Sequence, residues 1–219
     1  DPASMRLDGA PIAPGAGYRV TVNGFLAEGG DGFAGFRAGT EREGGPGELQ
    51  ALEDFKITSG KVLIVTDAPG NAVQSSRAEG FRDAIADKSD LDVLEFQYVG
   101  GDSAKASQAV SSALAANPDI SVVFTTNIGA GTGAANGIST AGSDAKLIGF
   151  DTASSQVQEL RDGAYDALIG QSPYQMGYES TTLISKILKD EESAADVTEK
   201  VKWSPWALVT AENVDSSEI

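Results

Sequence analysis

The chain of 219 residues contains no cysteine and no histidine. The missing cysteines exclude thiol nucleophiles, disulfides, thiolate zinc sites and iron–sulfur clusters, so the redox compartment is left undetermined. The missing histidines remove the commonest general base and the commonest transition-metal ligand. The sequence therefore predicts no metal site and no cofactor, and it favours a binding protein over an enzyme.

Positive charge is also scarce, because 16 lysines and arginines face 32 acidic residues and give a formal net charge of -16. This balance opposes binding to nucleic acid and to anionic membrane surfaces. No apolar run approaches the roughly 20 residues of a membrane helix. No segment has the basic start and apolar middle of a secretory signal, so any export signal is expected to have been removed. Residues 1–5, ending in Met5, look like a vector-derived leader.

The composition changes near Phe55. Residues 6–55 are rich in glycine, with one clear strand at 18–22, and are interpreted as a small α+β fragment. Residues 60–214 alternate short apolar runs with amphipathic segments, which predicts a doubly wound α/β domain. We expect a mainly parallel sheet of five or six strands with helices on both faces. The predicted strands are 61–66, 91–98, 120–125, 146–150, 165–170 and 203–210, and the predicted helices are 75–88, 103–116, 129–141, 154–161 and 174–188.

Polar side chains follow four of the predicted strands. These candidate ligand-binding residues are Asn71, Asn127, Asp151 and Gln171, with Arg77 close behind the first strand. The carboxyl ends of parallel strands share one edge of a sheet, where ligands bind in open α/β folds. Amides, a carboxylate and a guanidinium together suit a polyhydroxylated ligand. The alternative is structural: the two asparagines and Asp151 would be cap or turn residues, and Arg77 a solvated charge.

Four segments carry a more specific signal. KVLIVTDAPGNAVQSSRAEGF, ANPDISVVFTTN, GFDTASSQVQELRDG and IGQSPYQMGYES resemble, in order and spacing, the sugar-binding family of periplasmic solute receptors. The resemblance implies a single lobe of a type I periplasmic-binding-protein fold. It also implies that Arg77 grips the ligand's oxygens, with Asn127, Asp151 and Gln171 as the other polar ligands. The family usually has Asn-Asp where this chain has Asn127-Ile128, so a second polar group is missing there.

The same resemblance implies a partner and a location. Members serve ABC permeases from the periplasm or the cell exterior and clamp a sugar between two lobes by domain closure. The first of those lobes has no counterpart in this sequence. We therefore expect weak or lost sugar binding, unless a homodimer places a second subunit over the open site.

The segment before Phe55 resembles a different family. DGAPIAPGAGYRVTVNGFLAEGGDGFAGF and LQALEDF are similar to the carboxyl-terminal end of the 5'-nucleotidase substrate-binding domain. The resemblance implies that Phe33 stacks on a nucleotide base, whereas the alternative is a core phenylalanine. The metal-bearing catalytic domain of that family has no counterpart here, so hydrolysis is not expected. The chain is interpreted as a chimera, and the alternatives are a scaffold without activity and a nucleotide-binding remnant.

Overall fold

The computed structural model describes residues 6–7, 10–11, 51–86, 90–189 and 206–216. The predicted strand at 18–22 and the candidate residue Phe33 lie outside these residues. Near the amino terminus, β1 (Arg6–Leu7) pairs antiparallel with β2 (Ala10–Pro11). All other described strands belong to one larger sheet.

This main sheet contains seven strands in the order β4-β3-β6-β7-β8-β9, with β5 also pairing with β3. The strands are β3 (Ser59–Thr66), β4 (Asp90–Val93), β5 (Gln97–Tyr98), β6 (Ile120–Thr125), β7 (Lys146–Phe150), β8 (Ala167–Gln171) and β9 (Trp206–Thr210). Every pairing is parallel except that of β9, which runs antiparallel to β8. The predicted α/β class with a mainly parallel sheet is confirmed.

Strand β3 shows why the apolar run in the sequence has no polar alternation. Leu63 and Val65 pack in the core on one face of the sheet, and Val62 and Ile64 pack in the core on the other face. Successive strand residues point to opposite faces, so a strand covered on both sides needs apolar residues at every position. The buried run therefore marks β3 as an interior strand, paired on both sides and covered on both faces.

Residues 51–54, just before β3, are helical, and in the described part of the chain five further helices connect or follow the strands of the main sheet. They are α1 (Ala72–Ala86), α2 (Ser103–Ala116), α3 (Ile128–Ala141), α4 (Ser154–Arg161) and α5 (Pro173–Leu188). Helix α1 lies on one face, where Phe81 stacks on Phe124 of β6 with ring centroids 4.1 Å apart. Helices α2, α3 and α4 contribute to the core on the opposite face. In the part of the chain described, no helix combines the length and apolar character needed to cross a membrane.

Helices α2 and α3 pack together through glycines spaced four residues apart. A Cβ atom at Gly133 would overlap the carbonyl oxygen of Ser103 and lie 2.5 Å from the Cβ of Ala106. At Gly137, a Cβ would lie 2.8 Å from the carbonyl oxygen of Ser107. Residues four apart share one face of a helix, so the two helices approach more closely than larger side chains would permit.

Three details of the predicted architecture were wrong. The segment predicted as one strand at 91–98 forms two short strands, β4 and β5, because the chain leaves the sheet at 94–96. The first helix begins at Ala72 rather than Ser75, since Asn71 already accepts a hydrogen bond from the Gln74 amide. The split strand brings the sheet to seven strands rather than five or six.

Candidate functional site

Arg77 lies on α1 and reaches across the carboxyl ends of the strands. Its Nη1 donates a hydrogen bond of 2.8 Å to the carbonyl oxygen of Thr126, which follows β6. Its Cζ atom lies 3.9 Å from the ring centroid of Phe150, and Nη1 lies 3.9 Å from Asp151 Oδ2. Only 15% of the side chain is exposed. A guanidinium held by a carbonyl, an aromatic face and a carboxylate is a fixed group, unlike the solvated charge that was the alternative.

Asp151 links Arg77 to the next strand. Its side chain accepts a hydrogen bond of 2.5 Å from Gln171 Nε2 at the end of β8. Its backbone amide donates to the carbonyl oxygen of Ile169, and its φ of 74° is left-handed. Aspartate tolerates this conformation better than most residues, yet the conformation costs energy that the surrounding contacts must offset.

Asn127 and Asn71 occupy helix starts. Asn127 Oδ1 accepts a hydrogen bond of 2.9 Å from the amide of Ala130 and caps α3. Asn71 Oδ1 accepts from the amide of Gln74, and its Nδ2 donates to Asp67 Oδ2 at 2.6 Å. The capping role that the sequence left open is therefore present at both asparagines.

The structure thus brings three of the predicted residues into one network. Arg77, Asp151 and Gln171 form a continuous series of contacts across the ends of β7 and β8. Asn127 follows Thr126, whose carbonyl oxygen accepts the hydrogen bond from Arg77. The side-chain oxygen of Asn127 caps α3. Asn71 pairs with Asp67 rather than with Arg77 in the contacts described.

Two supporting groups were missed by the sequence analysis. Thr126 is fully buried, and its hydroxyl donates to the Thr66 hydroxyl at 3.0 Å, joining the ends of β6 and β3. Phe150 lies under the Arg77 guanidinium. The signals were present, since a threonine ends an apolar strand just before Asn127 and a phenylalanine precedes Asp151.

The arrangement presents donors and acceptors without reactive chemistry. A guanidinium, a carboxylate and an amide side by side can bind hydroxyl groups, each of which both donates and accepts. Within the described ranges, no group of three or more acidic residues could hold a metal ion. These features favour reversible binding of a small polar ligand.

A shallow groove at the opposite edge of the sheet does not bring a comparable set of polar side chains together. It is lined by the carboxyl-terminal ends of α2 and α3 and by residues such as Asp119 and Lys146. Asp119 pairs with Lys61 at 3.2 Å, and Lys146 pairs with Asp166 at 2.7 Å. These two ion pairs already join neighbouring strands, so this groove is the weaker candidate.

Comparison with known proteins identified one matching family. The family described as "Periplasmic binding protein domain" matches residues 26–192. The match includes every strand from β3 to β8 and begins within the segment assigned above to residues 6–55.

Individual relatives agree with this match. The ribose import binding protein of Salmonella typhimurium is 32% identical over 136 residues, which are 62% of this chain and 46% of that protein. An ABC transporter solute binding protein from Agrobacterium vitis, bound with α-D-tagatopyranose, is 28% identical with a TM-score of 0.67, covering 79% of this chain and 56% of that one. An arabinose binding protein from Geobacillus stearothermophilus is 26% identical with a TM-score of 0.67, covering 77% and 61%. The chain spans about half the length of the curated relatives it matches.

Proposed function

Because the chain belongs to the periplasmic binding protein domain family, we propose that the carboxyl edge of its sheet binds a monosaccharide. The family match and the sugar-binding relatives favour a binding protein over an enzyme. The observation that carries the proposal is the contact series from Arg77 through Asp151 to Gln171. It supplies a cation, a carboxylate and an amide at the edge where open α/β sheets bind ligands.

The proposed ligand is neutral and rich in hydroxyl groups. Arg77 already lies 3.9 Å from Asp151, so the two charges offset each other at the site. A strongly charged ligand would need a net opposite charge there, whereas a sugar needs only paired donors and acceptors. We assign Arg77, Asp151 and Gln171 as direct ligands, and Asn127 as a ligand through its amide group.

The proposed affinity is low, because the described residues form one wall of a site. An open face leaves the sugar hydroxyls in competition with water, and each missing hydrogen bond removes roughly 0.5 to 1.5 kcal/mol. At about 1 kcal/mol each, three or four missing contacts reduce affinity on the order of a hundredfold to a thousandfold. In a complete receptor, the same lobe would work with an ABC permease outside the cytoplasm.

Two competing proposals remain from the sequence. One is a folded chimera without ligand-binding activity, and the other is a nucleotide-binding remnant of a 5'-nucleotidase built around Phe33. Titration of the chain with ribose, xylose, galactose, glucose and nucleosides, followed by melting temperature and calorimetry, separates these proposals. A ligand that binds the native state stabilises it, by about 1.4 kcal/mol at ten times its dissociation constant.

The decisive variant is Arg77→Lys, with Arg82→Lys as its matched control. Both arginines lie on α1 and face a phenylalanine ring, but Arg82 pairs with its neighbour Asp83. Lysine keeps the charge and loses the planar fork that engages two oxygens at once. We expect Arg77→Lys to weaken sugar binding at least tenfold and Arg82→Lys to leave it unchanged. Sugar binding that is equally strong in both variants and in the parent chain would contradict the assigned site.

A further inference from the structure

Asp67 directly follows β3 at the carboxyl edge of the sheet, and none of the ligands proposed above comes from that strand. The register of the sheet pairs three apolar residues of neighbouring strands, which are Ile64, Phe124 and Ile148. Three residues further along the chain from each of these, the same row contains Asp67, Asn127 and Asp151. Neighbouring strands lie about 4.8 Å apart, so Asp67 extends the row of proposed ligands onto β3.

The Asp67 carboxylate is held in place by its neighbours through one of its two oxygens. Asn71 Nδ2 donates a hydrogen bond of 2.6 Å to Asp67 Oδ2, while the oxygen of Asn71 accepts from the Gln74 amide. The backbone carbonyl of Asp67 accepts a hydrogen bond of 2.8 Å from the Gly100 amide. Among the described residues, no hydrogen bond engages Asp67 Oδ1. Asn71 therefore positions Asp67, and Oδ1 is the oxygen that this end of β3 can present to a ligand.

The loop before α2 passes beside Asp67 without covering it with a side chain. Gly101 has a φ of 70°, and a Cβ atom there would lie 3.9 Å from Asp67 Oδ1. Apart from its chain neighbours, that Cβ would have no other heavy atom within 4 Å. The carbonyl oxygen of Gly101 packs on Gly129 at the start of α3, where a Cβ would overlap it. A side chain at Gly101 would enter the space in front of Asp67, whereas glycine leaves that space to a ligand.

Asp67 also sets the sign of the charge at the site. Arg77 and Asp151 offset each other, and the ion pairs of the described residues do not include Asp67. A fixed carboxylate repels an anionic ligand and attracts a cationic one. We propose that Asp67 is a specificity-determining residue of the sugar site, which accepts a hydrogen bond from a ligand hydroxyl through Oδ1 and rejects acidic sugars such as uronates. This inference rests on the proposed sugar-binding function and deepens it.

Two matched series of sugars test the role of Asp67 on the full chain. Glucose, glucosamine and glucuronate, and the corresponding galactose series, are titrated by NMR in mildly acidic buffer of low ionic strength. There the amino sugars are cations and the uronates are anions. A unit charge about 5 Å away changes affinity roughly fourfold even in water. We expect the parent chain to bind each uronate at least threefold more weakly than the neutral sugar. Asp67→Asn should bind the uronate at least threefold more tightly than the parent chain does, and the amino sugar at least threefold more weakly.

Asp102→Asn is the matched control, because it removes one negative charge from the same edge of the sheet. Asp102 Oδ1 caps α2 by accepting from the amides of Ala104 and Lys105, and asparagine caps a helix equally well. We expect this control to keep the ranking of the parent chain.

The outcomes separate the role of Asp67 from the proposed function. If the sugars bind but Asp67→Asn leaves their ranking unchanged, or if both variants shift it equally, the role of Asp67 is wrong and the sugar site stands. If the parent chain binds none of the six sugars, the proposed sugar site fails and this inference fails with it. Asp67→Ser, which also removes the charge, must shift the ranking in the same direction, and a failure to do so overturns the inference even where Asp67→Asn does not fold.

Discussion

Gly133 is the position where one methyl group should damage the fold most clearly. In Gly133→Ala, the new Cβ would overlap the carbonyl oxygen of Ser103 and lie 2.5 Å from the Cβ of Ala106. Real Cβ atoms essentially never approach another heavy atom closer than 3.0 Å. One of the clashing groups is backbone and the other is a Cβ, so no rotamer change relieves the overlap. Helices α2 and α3 must move apart, and the core beneath Ala106 must loosen with them.

Two opposing effects set the size of the loss. Alanine is favoured over glycine inside a helix by about 1 kcal/mol. Overpacking a close contact typically costs about 1 to 3 kcal/mol, and here the clash is with backbone, which places it at the upper end. We expect a net loss of about 1 to 2 kcal/mol in the free energy of unfolding. For a chain of this size that lowers the melting temperature by about 2 to 8 °C.

Gly80→Ala is the matched control, because Gly80 lies inside α1 and a Cβ there meets nothing within 4 Å. This substitution should raise stability by about 0.5 to 1 kcal/mol. Urea unfolding followed by circular dichroism measures both variants on the same scale. If Gly133→Ala were as stable as Gly80→Ala, the close packing of α2 on α3 described above would be wrong.

Two further predictions concern single side chains. Desolvation by burial, followed by the charge of Glu159, raises the pKa of Tyr165 to about 12 from 10.0. Between pH 10 and pH 12 the unfolded chain releases the Tyr165 proton, whereas the folded chain keeps it. The free energy of unfolding therefore falls as pH rises through this range, by up to about 2 to 3 kcal/mol. Below pH 10 this group does not change stability. Tyr165→Phe should remove this part of the slope in urea unfolding measured across that range, and an unchanged slope would contradict it. Asp151→Gly should relieve the left-handed backbone at φ 74° and raise or maintain stability. The same substitution should abolish sugar binding, because Gln171 loses its partner. Sugar binding retained in calorimetry would argue against Asp151 as a ligand.

Sequence patterns predicted the parts of the fold that depend on burial. The two continuous apolar runs form β3 and β6, which are interior strands whose side chains pack in the core on both faces of the sheet. Alternation failed at 91–98, where the residues remain partly apolar although the backbone leaves the sheet between β4 and β5. Local hydrophobicity reports that a residue is buried; it does not report which neighbour its amide pairs with.

The candidate site was predictable in part for a related reason. Strand ends and their polar residues can be read from the sequence, and the edge rule then places Arg77, Asp151 and Gln171 together. The partner that positions Arg77 is the carbonyl oxygen of Thr126, and every residue type has that atom. No side-chain pattern can signal a backbone acceptor, so this contact required the structure. Phe33 lies outside the described residues, as does most of the segment 6–55, so the base-stacking role and the proposed fusion stay predictions.

The left-handed backbone at Asp151 explains how two consecutive residues, Phe150 and Asp151, can both contact Arg77. Along a regular strand, neighbouring side chains point to opposite faces, so Phe150 and Asp151 could not both reach one guanidinium. The φ of 74° at Asp151 interrupts this alternation directly after β7. The Phe150 ring centroid then lies 3.9 Å from Arg77 Cζ, and Asp151 Oδ2 lies 3.9 Å from Arg77 Nη1. The amide of Asp151 donates to Ile169 on β8, which fixes the turn to the sheet itself. A ligand bound at the proposed site would therefore meet an Arg77 side chain already oriented by backbone and ring contacts, and little side-chain entropy would be lost on binding.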